Sequence, residues 1–207
     1  MIKMNKKILY IIFVFLNSCI PIIAGTGIFG AVMVGTDRRS TGAIIDDNVI
    51  EHKVGDLIKN KVSSSLIVSY NRIVLIAGYV SDDESKQNIT KYIYSVPNVR
   101  SVINELTVGT DPRIQSLSSD SYLTSKVKTR LLNTDIPINS VKVVTDNAIV
   151  YLIGIVTINE ATTATDIARR TDGVKNVIRI FEYIDESSNA KAIDKNIDKD
   201  KKVVNDK

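Results

Sequence analysis

The 207-residue chain has one cysteine, one histidine, four prolines and no tryptophan. A single thiol excludes an intramolecular disulfide framework and an all-cysteine zinc site, and the lone imidazole, His52, excludes a multi-histidine metal centre. A phosphate-cradling loop is missing too, because Gly25-Thr26-Gly27 leads into no nucleotide-binding pattern. The chain carries 27 basic and 23 acidic residues, a formal charge of +4. Lys3, Lys6 and Lys7 fall in an opening segment without acids, and setting them aside leaves 24 basic residues against 23 acidic ones. The excess charge is therefore N-terminal and gives a nucleic-acid partner no support.

Behind those lysines runs Ile8–Leu16 (ILYIIFVFL), the length of a secretion-signal core and too short to span a bilayer. Leu16-Asn17-Ser18-Cys19 follows, which resembles the lipobox of bacterial lipoproteins: an aliphatic residue, a small residue, then the cysteine whose thiol takes diacylglycerol. Asn17 is a less common occupant of the middle position. The resemblance implies a signal peptide over 1–18, a lipidated Cys19 carrying palmitate-type acyl chains, and a small-residue tether over 19–43. Ile20 stands where an Asp would resemble an inner-membrane retention signal, so the implied destination is the outer membrane, facing the periplasm. The competing reading is an uncleaved anchor: Ile20–Val34 is also apolar, so residues 8–34 read as one transmembrane span, weakened by Pro21, Gly25, Gly27 and Gly30.

The rest of the chain repeats. Ile73–Val80 (IVLIAGYV) aligns with Ile149–Val156 (IVYLIGIV) at an offset of 76, Val99–Ile103 with Val174–Ile178 at 75, and Lys53-Val54 with Lys126-Val127 at 73. Drifting offsets between elements are loop-length changes, so this is a duplicated domain and not a short-period solenoid. Each copy predicts αββαβ: helix 46–60 capped by Asp46 or Asp47, strands 65–70 and 72–80, helix 82–95 opened by a capping box at Ser81–Glu84, and strand 99–108. The second copy gives helix 120–133, strands 141–145 and 148–156, helix 158–171 and strand 174–183. A three-stranded mixed sheet packed against two helices, an α+β fold, is the compact solution.

This repeat, the strand patterns around Gly78 and Gly154, and the lead-ins Pro97-Asn98-Val99 and Asp172-Gly173-Val174 resemble BON domains. The whole chain resembles the dual-BON outer-membrane lipoproteins of the phospholipid-binding DolP/YraP type, supported by Thr36–Ser40 and by Asp120–Val127. The boundaries implied are 44–110 and 118–184 for the domains, 111–117 for a linker, and 185–207 for a disordered charged tail with six acids and six lysines. Two departures mark the copies as unequal: the first has a shorter loop between helix and strand, and Arg179 stands where the first copy has Asn104.

No catalytic group, metal site or cofactor is expected. His52 reads as a solvated helix residue, Asp82-Asp83-Glu84 as acids favoured by a helix dipole, and Gly78 and Gly154 as structural glycines permitting a bulge or the close approach of a helix. One surface stands out. In helix 120–133, Leu123, Val127 and Leu131 face the sheet, Tyr122, Lys126 and Arg130 form a stripe beside them, and Lys128 adds charge on the other flank. An amphipathic tyrosine among cations suits a lipid headgroup layer. The expected phospholipid-binding set is Tyr122, Leu123, Lys126, Lys128 and Arg130, and the resemblance implies anionic lipid, phosphatidylglycerol or cardiolipin, together with a role in envelope integrity. The alternative is a periplasmic adaptor whose domains or tail contact envelope proteins or peptidoglycan machinery.

Overall fold

The computed structural model describes residues 37–110 and 117–185. The element order is α1 (Thr41–Ile58), β1 (Ser63–Tyr70), β2 (Ile73–Val80), α2 (Asp83–Tyr94), β3 (Ser101–Val108), α3 (Leu117–Leu131), β4 (Val141–Asp146), β5 (Ile149–Val156), α4 (Ile158–Arg169) and β6 (Asn176–Tyr183). The predicted αββαβ repeat is present twice. In each copy the middle strand pairs antiparallel with the strand before it and parallel with the strand after it.

The helix starts differ from expectation in informative ways. Helix α1 begins at Thr41, its first turn capped by the Ser40 hydroxyl, which accepts from the Ala43 amide at 3.1 Å. Asp47 is therefore inside the helix and not at its cap. At α2 the cap is Asp82, which accepts from the Ser85 amide at 2.7 Å. The reciprocal capping box occurs instead at α4, where Thr157 and Glu160 each accept the other's backbone N–H, at 3.3 and 2.8 Å.

Asp47 has a different task, and so does its counterpart Asp120, 73 residues on. Each is buried on the first helix of its copy and accepts both amides of the facing hairpin turn. Asp47 takes Asn71 N at 2.8 Å and Arg72 N at 2.7 Å, and Asp120 takes Asn147 N at 3.0 Å and Ala148 N at 2.9 Å. Both turn residues have positive φ in each copy (51° and 65°, then 52° and 61°), the geometry of a type I′ turn. For Arg72 and Ala148 that region costs on the order of 1 kcal/mol, and the carboxylate fixes it by gathering the two N–H groups.

The central strands are buried on both faces. Val74, Ile76 and Val80 of β2 point into a core with Ile50, Val54 and Ile89, while Leu75 and Ala77 point the other way. In β5, Val150, Leu152 and Val156 pack on Val127, Ala161 and Ala164 of the helices, while Tyr151 and Ile153 point away. The two outward faces meet: Val68, Tyr70, Leu75 and Ala77 of the first copy join Tyr151 and Ile153 of the second in a third apolar cluster. The copies thus form one sandwich of helices, sheet, sheet and helices. Asn71 reaches across to Glu182 at 2.7 Å, and Asn147 to the Tyr79 hydroxyl at 2.6 Å.

Candidate functional site

Helix α3 buries Leu123, Val127 and Leu131 at spacings of four, which turns Tyr122 outward with 64% of its surface exposed. The ammonium of Lys126 lies 5.7 Å from the Tyr122 ring centroid and donates to the Asp172 carbonyl at 3.2 Å, with the Asp172 carboxylate at 3.9 Å. Between these flanks the hydroxyls of Ser125 and Thr129 donate to the carbonyls one turn earlier, at 3.0 and 2.9 Å, so their polarity is spent on the helix itself. From Ser121 to Thr134 the sequence has three cations and no acid. The result is an outer face with an amphipathic ring, positive charge at its flanks and a muted polar centre.

The structure separates residues that the sequence pattern treats alike. Arg130 donates to the Arg170 carbonyl at 2.7 Å and to the Thr171 hydroxyl at 3.1 Å, so its guanidinium holds the C-terminal end of α4. Leu123 is buried against Gly173, where even a Cβ would meet its Cδ2 at 2.9 Å; it belongs to the core and not to the exposed face. Lys128 stands on the opposite flank, at a cleft between the domains. Cys19 lies outside the described residues.

The equivalent helix α1 has more acids, and they are engaged. Asp46 pairs with Arg72 at 2.7 Å, Asp47 with Arg39 at 2.8 Å, Glu51 with Lys142 at 2.8 Å, and Asp56 with His52 at 3.2 Å. His52 is largely solvated, as its pattern predicts.

Ahead of α1, Asp37–Ser40 forms a strap that touches both domains. Arg38 donates to Glu160 through both terminal nitrogens, at 2.6 and 2.8 Å, and to the Ile155 carbonyl at 2.8 Å. Burial alone raises the Glu160 pKa, but the Arg38 and Thr157 hydrogen bonds outweigh it and hold the carboxyl below its ordinary value. Arg39 turns to the first domain, bonded to Asp37 and Asp47 and stacked 4.2 Å over the Tyr70 ring. Burial, reinforced by Asp37 and opposed by Arg39, pushes the Tyr70 phenol up to about 12, so it stays a donor, to the Asn139 carbonyl at 3.0 Å. The Asp-Arg-Arg-Ser run stands out in the sequence, but no local pattern assigns its members a task. Asp47 and Asp120 left a signal in the repeat offset, whereas Tyr70 left none.

Both strand glycines face backbone, not a helix. At Gly154 a Cβ would lie 2.1 Å from the Ser140 carbonyl oxygen, and at Gly78, with φ 141°, 2.9 Å from that of Ser63, where β1 carries a bulge.

The BON domain model matches residues 46–110 and 119–184, which are the two αββαβ copies. The chain belongs to the BON-domain family. It is 36% identical over 178 residues to "Outer membrane lipoprotein DolP" of Haemophilus influenzae, covering 83% of this chain and 92% of that one. This places it in the DolP family of dual BON-domain envelope lipoproteins. It is also 30% identical over 154 residues to "21 kDa hemolysin" of Actinobacillus pleuropneumoniae, covering 72% and 79% of the two chains. With "Osmotically-inducible protein Y" of Escherichia coli it shares 28% identity over 152 residues, 70% and 76% of the chains. Among solved structures, the C-terminal domain of CdsD from Chlamydia trachomatis matches 65% of this chain and 96% of its own at 11% identity and a TM-score of 0.28. Among the described residues of the BON pair, no helix is long and apolar enough to cross a membrane.

Proposed function

We propose that this chain is a non-enzymatic outer-membrane lipoprotein, held by acyl chains on Cys19, whose second BON domain binds anionic phospholipid through α3 and so supports envelope integrity. The observation that carries the reading is the outer face of α3: Tyr122, Lys126 and Lys128 on a helix surface without an acid between Ser121 and Thr134. The likeness to the DolP lipoprotein supports the outer-membrane location. A tyrosine ring seats at the headgroup boundary, and each cation near an anionic surface contributes about 1 kcal/mol within a Debye length of about 8 Å at physiological salt. Arg130 is left out of the contacting set because its guanidinium is committed to the end of α4.

The test is co-sedimentation of residues 20–207 with phosphatidylcholine vesicles, with and without phosphatidylglycerol. Binding should require the anionic lipid and weaken as salt rises. Lys126→Glu with Lys128→Glu replaces two attractions by two repulsions and should cost roughly 2 to 4 kcal/mol, with Tyr122→Glu weakening binding further. Lys53→Glu on α1 should change nothing. Unchanged binding of the α3 triple variant would defeat the headgroup model and favour the adaptor reading. In cells, Cys19→Ala should leave an unacylated chain that no longer fractionates with the outer membrane. Wild-type fractionation of that variant would refute the anchor.

A further inference from the structure

A cleft of about 460 Å³ opens between the two domains, in the size range of small-molecule sites. One wall is α1, with Ile44, Asn48 and Glu51; the other is the end of α3 and the turn after it, with Leu131, Ile136 and Ile138. Its polar floor is already satisfied. Ser69 donates its hydroxyl to Asp47 and its amide to Glu51, both at 2.7 Å, Arg39 is paired with Asp47, and Tyr70 donates to the Asn139 carbonyl. An apolar guest therefore strands no donor or acceptor there. The rim carries exposed apolar side chains: Leu132 and Ile138, both lining the cleft, are 58% and 70% exposed. At the mouth Lys142 is paired with Glu51 at 2.8 Å, whereas Lys128 makes no ion pair among the described residues.

We propose that this cleft receives one acyl chain of an anionic phospholipid, with Lys128 at the mouth facing the headgroup. A volume of about 460 Å³ holds about fifteen groups of water or methylene size, enough for most of one chain and too little for two. The inference rests on the lipid-binding reading for the identity of the headgroup, but it concerns a second surface that shares only Lys128 with the α3 face, so Tyr122 on one side and Asn48 on the other separate the two experimentally. The Tyr122 face meets an intact bilayer, whereas the cleft takes a single lipid molecule.

The experiment uses residues 20–207, which contain the whole of the unit 33–207 and every described residue of both domains. The probe is dihexanoyl-phosphatidylglycerol below its micelle concentration, followed by methyl NMR. Saturable shifts are expected at Ile44, Ile136 and Val143, which line the cleft. Asn48→Trp places an indole in the cleft from an exposed helix position and should weaken binding about tenfold, the equivalent of about two methylenes left in water. Lys128→Glu should weaken it as well, and Tyr122→Glu should leave it unchanged. If vesicle binding fails while the single lipid still seats, the α3 reading falls and the cleft stands. Three outcomes would overturn the cleft: no saturable shift at those methyls, shifts confined to the Tyr122 face, or equal binding of glycerol phosphate, which would mark an anion site only. Equal binding of a neutral amphiphile with the same chains would overturn the assignment of Lys128.

Discussion

Gly154→Ala adds a single carbon, and its effect follows from one distance. The new Cβ would lie 2.1 Å from the Ser140 carbonyl oxygen, about 1.3 Å short of the 3.4 Å at which ordinary contact begins. That oxygen has little room to yield. Ser140 is fully buried, its amide donates to the Pro137 carbonyl at 2.9 Å, and Val141 beside it is in register with Gly154. The Tyr70 hydroxyl of the other domain lies 3.4 Å from the same oxygen, so displacement also disturbs the sheet-to-sheet contact. Overpacking of this kind costs about 1 to 3 kcal/mol, and a backbone obstacle argues for the upper end. For a unit of this size, about 3 kcal/mol lowers the melting temperature by roughly 6 to 12 °C. Gly55→Ala supplies the control within the same protein. It lies inside α1 with its nearest neighbour, Ile67 Cδ1, at 3.8 Å, and should stabilise by about 0.5 to 1 kcal/mol. Thermal melts of residues 20–207 by circular dichroism decide the matter. A Gly154→Ala melt within about 1 °C of wild type would refute the crowding argument, as would an equal loss for Gly55→Ala.

Asp47→Ala strands two turn amides and the Ser69 hydroxyl and leaves the Arg39 guanidinium with Asp37 as its one carboxylate among the described residues, and should cost about 3 to 5 kcal/mol in denaturant unfolding. Asp120→Ala strands two amides and should cost less, about 1 to 3 kcal/mol; the reverse order would contradict the bonding seen here. The Arg38 clasp predicts a pH dependence. Because the folded pKa of Glu160 is depressed, its contribution is complete above the ordinary glutamate value of 4.5 and is lost as pH falls through the folded value. The stability gap between wild type and Glu160→Gln should therefore be widest near neutrality and close in acid, and a gap independent of pH would count against the clasp.

Local structure and the duplication can be read directly from the residues. Val54 and Val127, Ile58 and Leu131, and Asp47 and Asp120 recur at one offset, because a helix that buries every fourth residue fixes the spacing of its core positions wherever the loops end. The cationic stripe on α3 was legible for the same reason: helical geometry alone turns Tyr122 and Lys126 away from Val127. Partnering was not legible. Arg130 and Lys126 occupy the same stripe, yet only the packing of α4 beside α3 reveals that Arg130 caps a helix end. The union of the two sheets had a sequence trace in β2 and β5, whose uninterrupted apolar runs lack the alternation of a sheet with one wet face. Which surface would cover that second face depended on tertiary structure, as did the Arg38 and Arg39 strap and the cleft beside it. Burial on both sides of a strand is a local demand for apolar residues, whereas a salt bridge between positions 38 and 160 depends on where two folded domains place their ends.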